Sequence, residues 1–159
     1  MNSIYENIID LLQKYQIPYK EFDHNPILNY EDAEREKERF SWIGVESKNV
    51  FLSGSDGKYY LYITVQGQKV DFKKLKELLG VKLSIASEED VRNVINCVPG
   101  CVAPFGIDQS IIVIIDPTIF QYSDYLFSPG VTTKTIQANI QDLKKIFENL
   151  PNKTVEIKP

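Results

Sequence analysis

The chain has 159 residues, 43% hydrophobic and 25% charged, which fits one soluble globular domain with a sizeable core. A net charge of −4 and a pI near 5.1 argue against a strongly basic nucleic-acid binder, while leaving room for a local basic patch. No apolar run approaches the roughly 18 residues of a membrane span, and Met1-Asn2-Ser3-Ile4-Tyr5-Glu6 lacks the basic and apolar regions of a signal peptide, so a cytoplasmic location is expected.

Ile4, Ile8, Leu11, Leu12 and Tyr15 recur at helical spacing, and Ser3 with Glu6 reads as a capping box, so residues 3–15 are expected to be helical. Ile17-Pro18-Tyr19 ends that helix, residues 19–22 read as a short edge strand, and His24-Asn25-Pro26 as a turn in which His24 is a loop hydrogen-bonder. Asn29 is placed to cap a second helix over residues 30–39, with acids early and bases late. Its run Glu34-Arg35-Glu36-Lys37-Glu38-Arg39 reads as a solvated face. Lys48-Asn49-Val50-Phe51-Leu52 and residues 58–65 read as a hairpin around Ser53-Gly54-Ser55-Asp56-Gly57. Asp71 caps a helix that Gly80 stops, residues 81–85 form a short strand, and Ser87 opens a helix to about Asn96. Residues 110–116 are the most apolar strand, read as buried on both faces. Residues 124–127 and 132–137 give two more strands around Ser128-Pro129-Gly130, Asn139 caps a final helix, and Val155-Glu156-Ile157 adds an edge strand. The mixture predicts an α+β domain with a mixed or largely antiparallel sheet and helices outside it, covering residues 1–159.

The stretch from Cys97 to Ile107, Cys-Val-Pro-Gly-Cys-Val-Ala-Pro-Phe-Gly-Ile, is too apolar for an ordinary turn. It is either a buried crossover loop or a rigid backbone cradle for a small ligand, because proline fixes φ and glycine admits φ > 0. Cys97 and Cys101 are the only cysteines and His24 the only histidine. Together they do not make an ordinary four-ligand zinc site, so two reduced, semi-buried thiols and no metal or cofactor are expected.

The order of these features carries a resemblance. His24-Asn25-Pro26-Ile27-Leu28-Asn29-Tyr30-Glu31-Asp32-Ala33 precedes Lys48-Asn49-Val50-Phe51-Leu52, then Tyr59-Tyr60-Leu61, Leu78-Leu79-Gly80 and the helix at Ser87. Gly100-Cys101-Val102-Ala103-Pro104-Phe105-Gly106 follows. From about residue 4 to about residue 150 the chain resembles the YbaK/prolyl-tRNA editing domain family of aminoacyl-tRNA deacylases. The resemblance implies a compact fold around a mixed, barrel-like sheet. It implies a free-standing hydrolase that removes a wrong small amino acid, alanine or cysteine, from tRNA for proline. Its expected partners are the tRNA acceptor end and prolyl-tRNA synthetase, with no membrane. By match, Lys48 is the family's active-site lysine, Asn49 follows it as in some members, and Gly100 and Pro104 end the loop that shapes the pocket. Ser128 stands where many members have a histidine, and Thr132 where they have an asparagine. That departure leaves a second reading open, a non-catalytic member that binds tRNA ends or a synthetase.

No Ser-His-Asp set, Gly-x-Ser-x-Gly elbow or carboxylate dyad is legible in the chain. Backbone N–H groups of the Gly100 loop plus the Lys48 cation suffice to stabilise an oxyanion. In this reading Val102, Ala103 and Phe105 set the acyl-pocket volume, with Phe105 closing it. Cys101, Pro104, Gly106 and Ser128 line the pocket, and Cys101 is not a nucleophile. The attacking water is held by the substrate's own ribose hydroxyl, with Asp108 or Asp124 as the fallback base.

Overall fold

Residues 2–158 are described by a computed structural model. Ser3 and Glu6 form both halves of the capping box, and α1 (Ile4–Lys14) buries Ile4, Ile8 and Leu12. β1 (Tyr19–Asp23) leads to α2 (Tyr30–Phe40), where the Asn29 side chain accepts from the Asp32 N–H. The charge run of α2 is not wholly solvated. Glu36 is fully buried, with Arg35 and Arg39 nitrogens 3.8 and 3.4 Å from its carboxylate, because one helix face must turn toward the protein.

β2 (Val45–Gly54) extends beyond Lys48–Leu52 at both ends. It runs antiparallel to β3 (Tyr59–Val65) through the middle, and other strands capture its ends. β6 (Asp124–Phe127) pairs with Val45 and Glu46 in parallel, and β4 (Leu83–Ile85) pairs with Leu52, Ser53 and Gly54. Between β3 and β4, α3 (Phe72–Leu79) starts at its Asp71 cap and stops at Gly80 in the left-handed region. After β4, Ser87 caps α4 (Glu88–Ile95). β5 (Ile112–Ile115), a 3-10 turn at Pro117–Gln121 and β6 follow the apolar loop. β7 (Lys134–Asn139), α5 (Ile140–Glu148) and β8 (Thr154–Glu156) complete the chain.

The eight strands form one mixed sheet with the path β1-β7-β6-β2-β3-β5-β8, and β4 beside β2. Alternation along β3 and β5 divides the core between two faces. Leu61, Ile63, Val113 and Ile115 face a large cluster with α1, α4 and α5, while Tyr60, Tyr62, Ile112 and Ile114 face a smaller one covered by Leu75 of α3. Val113 and Ile114 are fully buried, each contributing roughly 1.5–3 kcal/mol of burial free energy. This is the α+β domain with a mixed sheet and outer helices that the element order predicts. Among the described residues no helix is long and apolar enough to cross a membrane.

Candidate functional site

β2 leaves β6 after Glu46 and does not meet β4 until Leu52, so its edge between them has no strand alongside. A cleft of about 390 Å³ opens there, a size suited to a small ligand. Lys48, Asn49 and Phe51 form one wall, and Phe127 and Ser128 at the end of β6 form another. Pro99, Gly100 and Val102 contribute from the apolar loop, Ala86 and Glu88 from the start of α4, and Trp42 and Thr135 from across the opening.

The Pro/Gly loop owes its shape to a turn its own residues dictate. The Cys101 N–H donates to the Val98 carbonyl at 2.8 Å and Gly100 has φ +87°, as in a type II turn with Pro99 and Gly100 at its two central positions. A Cβ added at Gly100 would meet no atom within 4 Å. Glycine is therefore needed there for its backbone conformation, not for a close approach. Two long-range hydrogen bonds fix the turn. The Val98 N–H donates to the Gly130 carbonyl at 3.0 Å, and Asn49 Nδ2 donates to the Val102 carbonyl at 3.0 Å. Gly130 itself admits no side chain, since a Cβ there would lie 2.5 Å from Ile4 Cγ2 at φ +94°. Among the described residues the N–H groups of Gly100 and Val102 have no hydrogen-bond acceptor.

Five of the ten residues expected at the site line the cleft: Lys48, Asn49, Gly100, Val102 and Ser128. The other five do not: the Cys101 side chain is buried, and past Val102 the chain turns into the core. Ala103 and Phe105 are 0% and 1% exposed, Cys101 and Pro104 are buried, and Gly106 packs under α1, its carbonyl accepting from Asn7 Nδ2 at 3.0 Å. Phe105, expected to close the acyl pocket, does not line the cleft. It packs against Phe127 and Phe147, with ring centroids 5.3 and 5.8 Å away, and so supports the Phe127 wall from behind.

Lys48 Nζ donates to the Gln68 carbonyl at 2.7 Å. The Ser128 hydroxyl is committed to its own loop, donating to the Val131 carbonyl and accepting from the Gly130 N–H, both at 3.1 Å. His24 bonds through both ring nitrogens, to the Asn25 carbonyl at 2.7 Å and to Thr135 Oγ1 at 2.8 Å, which places it behind the Thr135 wall. Burial pushes the Cys97 thiol up to about 11 and raises Cys101 as well, the latter opposed by the nearby Ser128 hydroxyl. Both are therefore thiols rather than thiolates near neutrality.

Neither fallback base lines the cleft. Asp108 is exposed on the far side of the loop, with its carboxyl held low by the Ser110 hydroxyl and N–H. Asp124 lies at the opposite end of β6 from the cleft residues Phe127 and Ser128. The carboxylates on the cleft are Glu46 and Glu88. Sequence reading missed these, together with Trp42 and Thr135: non-local strand pairing brings Glu46 and Thr135 to the cleft, the start of α4 brings Glu88, and the loop before β2 brings Trp42. The period-two extension of β2 back through Glu46 was the available signal for one of them. Glu46 Oε1, Asn49 Oδ1 and Trp42 Nε1 are buried in or beside this wall without a hydrogen-bond partner among the described residues. Among the described residues no group of three His, Cys, Asp or Glu side chains has metal-ligating geometry.

The family model described as an aminoacyl-tRNA editing domain matches residues 24–146. Over 148 residues the chain is 30% identical to the prolyl-tRNA editing protein ProX of Acetoanaerobium sticklandii, a match covering 89% of this chain and 88% of that one. A solved structure titled as a candidate trans-editing enzyme for prolyl tRNA synthetase superposes with a TM-score of 0.72 at 17% identity, over 100% of this chain and 99% of its own. A second, of a hypothetical protein, superposes with a TM-score of 0.78 at 11% identity, over 94% and 97%. At such identities these two structures speak for the fold alone. The span of the family model and the identity to ProX establish that the chain belongs to the aminoacyl-tRNA editing domain family, the deacylase family its residue order resembles.

Proposed function

We propose that this protein is a trans-editing hydrolase that deacylates tRNA for proline carrying a wrong small amino acid, alanine or cysteine, in the cytoplasm. The reading rests on one juxtaposition. The type II turn at Gly100, with unpaired N–H groups at Gly100 and Val102, faces the Lys48–Asn49 segment across a cleft of about 390 Å³. Likeness to ProX over most of both chains supports proline-tRNA as the substrate.

An aminoacyl ester is already activated, so catalysis requires a positioned water and stabilisation of the oxyanion. In this mechanism the Gly100 and Val102 N–H groups receive the developing oxyanion, and Lys48 swings from the Gln68 carbonyl to a substrate phosphate or the carbonyl side. The free hydroxyl of the terminal ribose holds the attacking water. Apolar walls at Val102, Phe51 and Phe127 exclude larger acyl groups, a discrimination of about 1–3 kcal/mol per methylene.

The test is a panel of misacylated tRNAs offered to the purified protein, with and without a chelator. Hydrolysis of alanyl or cysteinyl esters on tRNA for proline is expected, at the same rate with the chelator. A terminal nucleotide lacking the free ribose hydroxyl should abolish it. Hydrolysis of none of the panel, with tRNA binding retained, would instead favour the non-catalytic reading that Ser128 leaves open.

A further inference from the structure

Charge on this acidic protein is sorted by element. Residues 68–82 hold Lys69, Lys73, Lys74, Lys76 and Lys82 against Asp71 and Glu77, so the rest of the chain has 13 Lys and Arg against 20 Asp and Glu. All five lysines are exposed. Asp71 is occupied as the α3 cap, its side chain accepting from the Lys74 N–H at 3.0 Å.

The geometry of α3 directs these charges. Phe72, Leu75 and Leu79 pack on the sheet. At 100° per residue this puts Lys73 and Lys76 on one flank of the helix and Lys74 on the other. Lys74 Nζ donates to the Lys158 carbonyl at 2.7 Å, just beyond β8, so its flank faces the β8 edge of the sheet. The flank carrying Lys73 and Lys76 therefore faces the other way, toward β2 and β4, where the cleft lies. Lys69 follows Gln68, whose carbonyl holds Lys48 Nζ at the cleft wall. Lys82 immediately precedes β4, whose Ile85 lines the cleft. A strip of ammonium groups thus runs from Lys48 at the cleft through Lys69 to Lys73 and Lys76, with Lys82 beside it.

We infer that this strip is the docking surface for the phosphate backbone of an RNA duplex whose 3′ end enters the cleft. It rests on the function proposed above, under which that duplex is the acceptor stem of the tRNA. Lysine suits the task as a flexible point charge for phosphate. A lipid surface would need apolar anchors as well, and the exposed apolar residue of α3, Leu78, lies on the Lys74 flank. Outside this segment the chain carries 13 Lys and Arg against 20 Asp and Glu, a balance that disfavours phosphate elsewhere on the molecule.

The test pairs K73E/K76E with K145E/K153E, which makes the same charge change at exposed lysines elsewhere on the protein. Affinity for uncharged tRNA is read by fluorescence anisotropy across a salt series. Deacylation is read on misacylated tRNA and on a short single-stranded oligonucleotide carrying the same 3′ ester. For K73E/K76E, tRNA affinity should fall at least tenfold more than for K145E/K153E at low salt. Its salt slope should be shallower by about 1.8, at roughly 0.9 for each phosphate no longer neutralised. The loss of kcat/KM on tRNA should exceed that on the short oligonucleotide by at least tenfold. Equal losses for the two pairs, or equal losses on the two substrates, overturn the proposal. Wild-type protein that hydrolyses neither ester would defeat the proposed function, while the tRNA affinities of the two pairs would still decide the docking surface.

Discussion

Asn49→Ala separates holding the fold from holding the site. Asn49 Nδ2 donates to the Val102 carbonyl at 3.0 Å and to Ser47 Oγ at 3.3 Å, and its Oδ1 is buried without a partner among the described residues. Removing the side chain leaves the Val102 carbonyl unpaired in a partly buried position, at a cost of about 1–3 kcal/mol. Loss of the unpaired Oδ1 offsets roughly 1 kcal/mol of that. The net destabilisation is about 1 kcal/mol, or roughly 2–4 °C in Tm for a domain of this size. The effect on activity should be larger, because Asn49 ties β2 to the loop carrying the Gly100 and Val102 N–H groups. A misplacement near 1 Å there costs on the order of 100-fold. Asn49→Asp should be worse than Asn49→Ala, since it sets a carboxylate acceptor against a carbonyl. Thermal unfolding and single-turnover deacylation, measured on the same preparations, provide the check. Wild-type turnover in Asn49→Ala would refute the reasoning. So would a Tm loss above about 10 °C, which would make Asn49 a residue of the core.

Lys48→Ala is expected to lose most deacylase activity with under about 1 kcal/mol of stability, since its bond to the Gln68 carbonyl is a surface contact; unchanged turnover removes it from the site. Gly100→Ala should reduce activity more than Cys101→Ser and cost about 1–2 kcal/mol through its positive φ alone, because space for the methyl group exists; a dead Cys101→Ser variant would reopen thiol chemistry. Phe105→Ala should cost about 3–5 kcal/mol as a core truncation; altered amino-acid selectivity with wild-type Tm would return Phe105 to the acyl pocket. Denaturant titrations should show stability falling as pH rises from about 9 toward 11. The folded state keeps the proton on Cys97, pushed up to about 11, whereas the unfolded chain releases it nearer the usual thiol value. A Cys97→Ala variant with the same alkaline slope would assign that loss to the buried tyrosines.

The features that sequence alone determined are the ones governed by neighbours a few residues apart. The caps at Ser3, Asn29, Asp71, Ser87 and Asn139 all form, because a short side chain accepts from an N–H two or three residues on whatever the rest of the chain does. The turn at Pro99-Gly100 is equally local, one residue fixing φ and the next admitting its positive value. The two-faced burial of β5 was legible in its unbroken apolar run.

Tertiary structure alone decided what those pieces face. Val102 lines the cleft while Ala103 and Phe105 enter the core, although all three are apolar and within four positions. The burial of Glu36 depends on which face of α2 meets the protein. The cleft itself exists because β6 captures the start of β2 and β4 captures its end, leaving the Lys48–Asn49 edge between them unpaired. β2 and β6 lie about 80 residues apart in sequence, and pairing at that distance depends on packing across the whole sheet rather than on any local pattern.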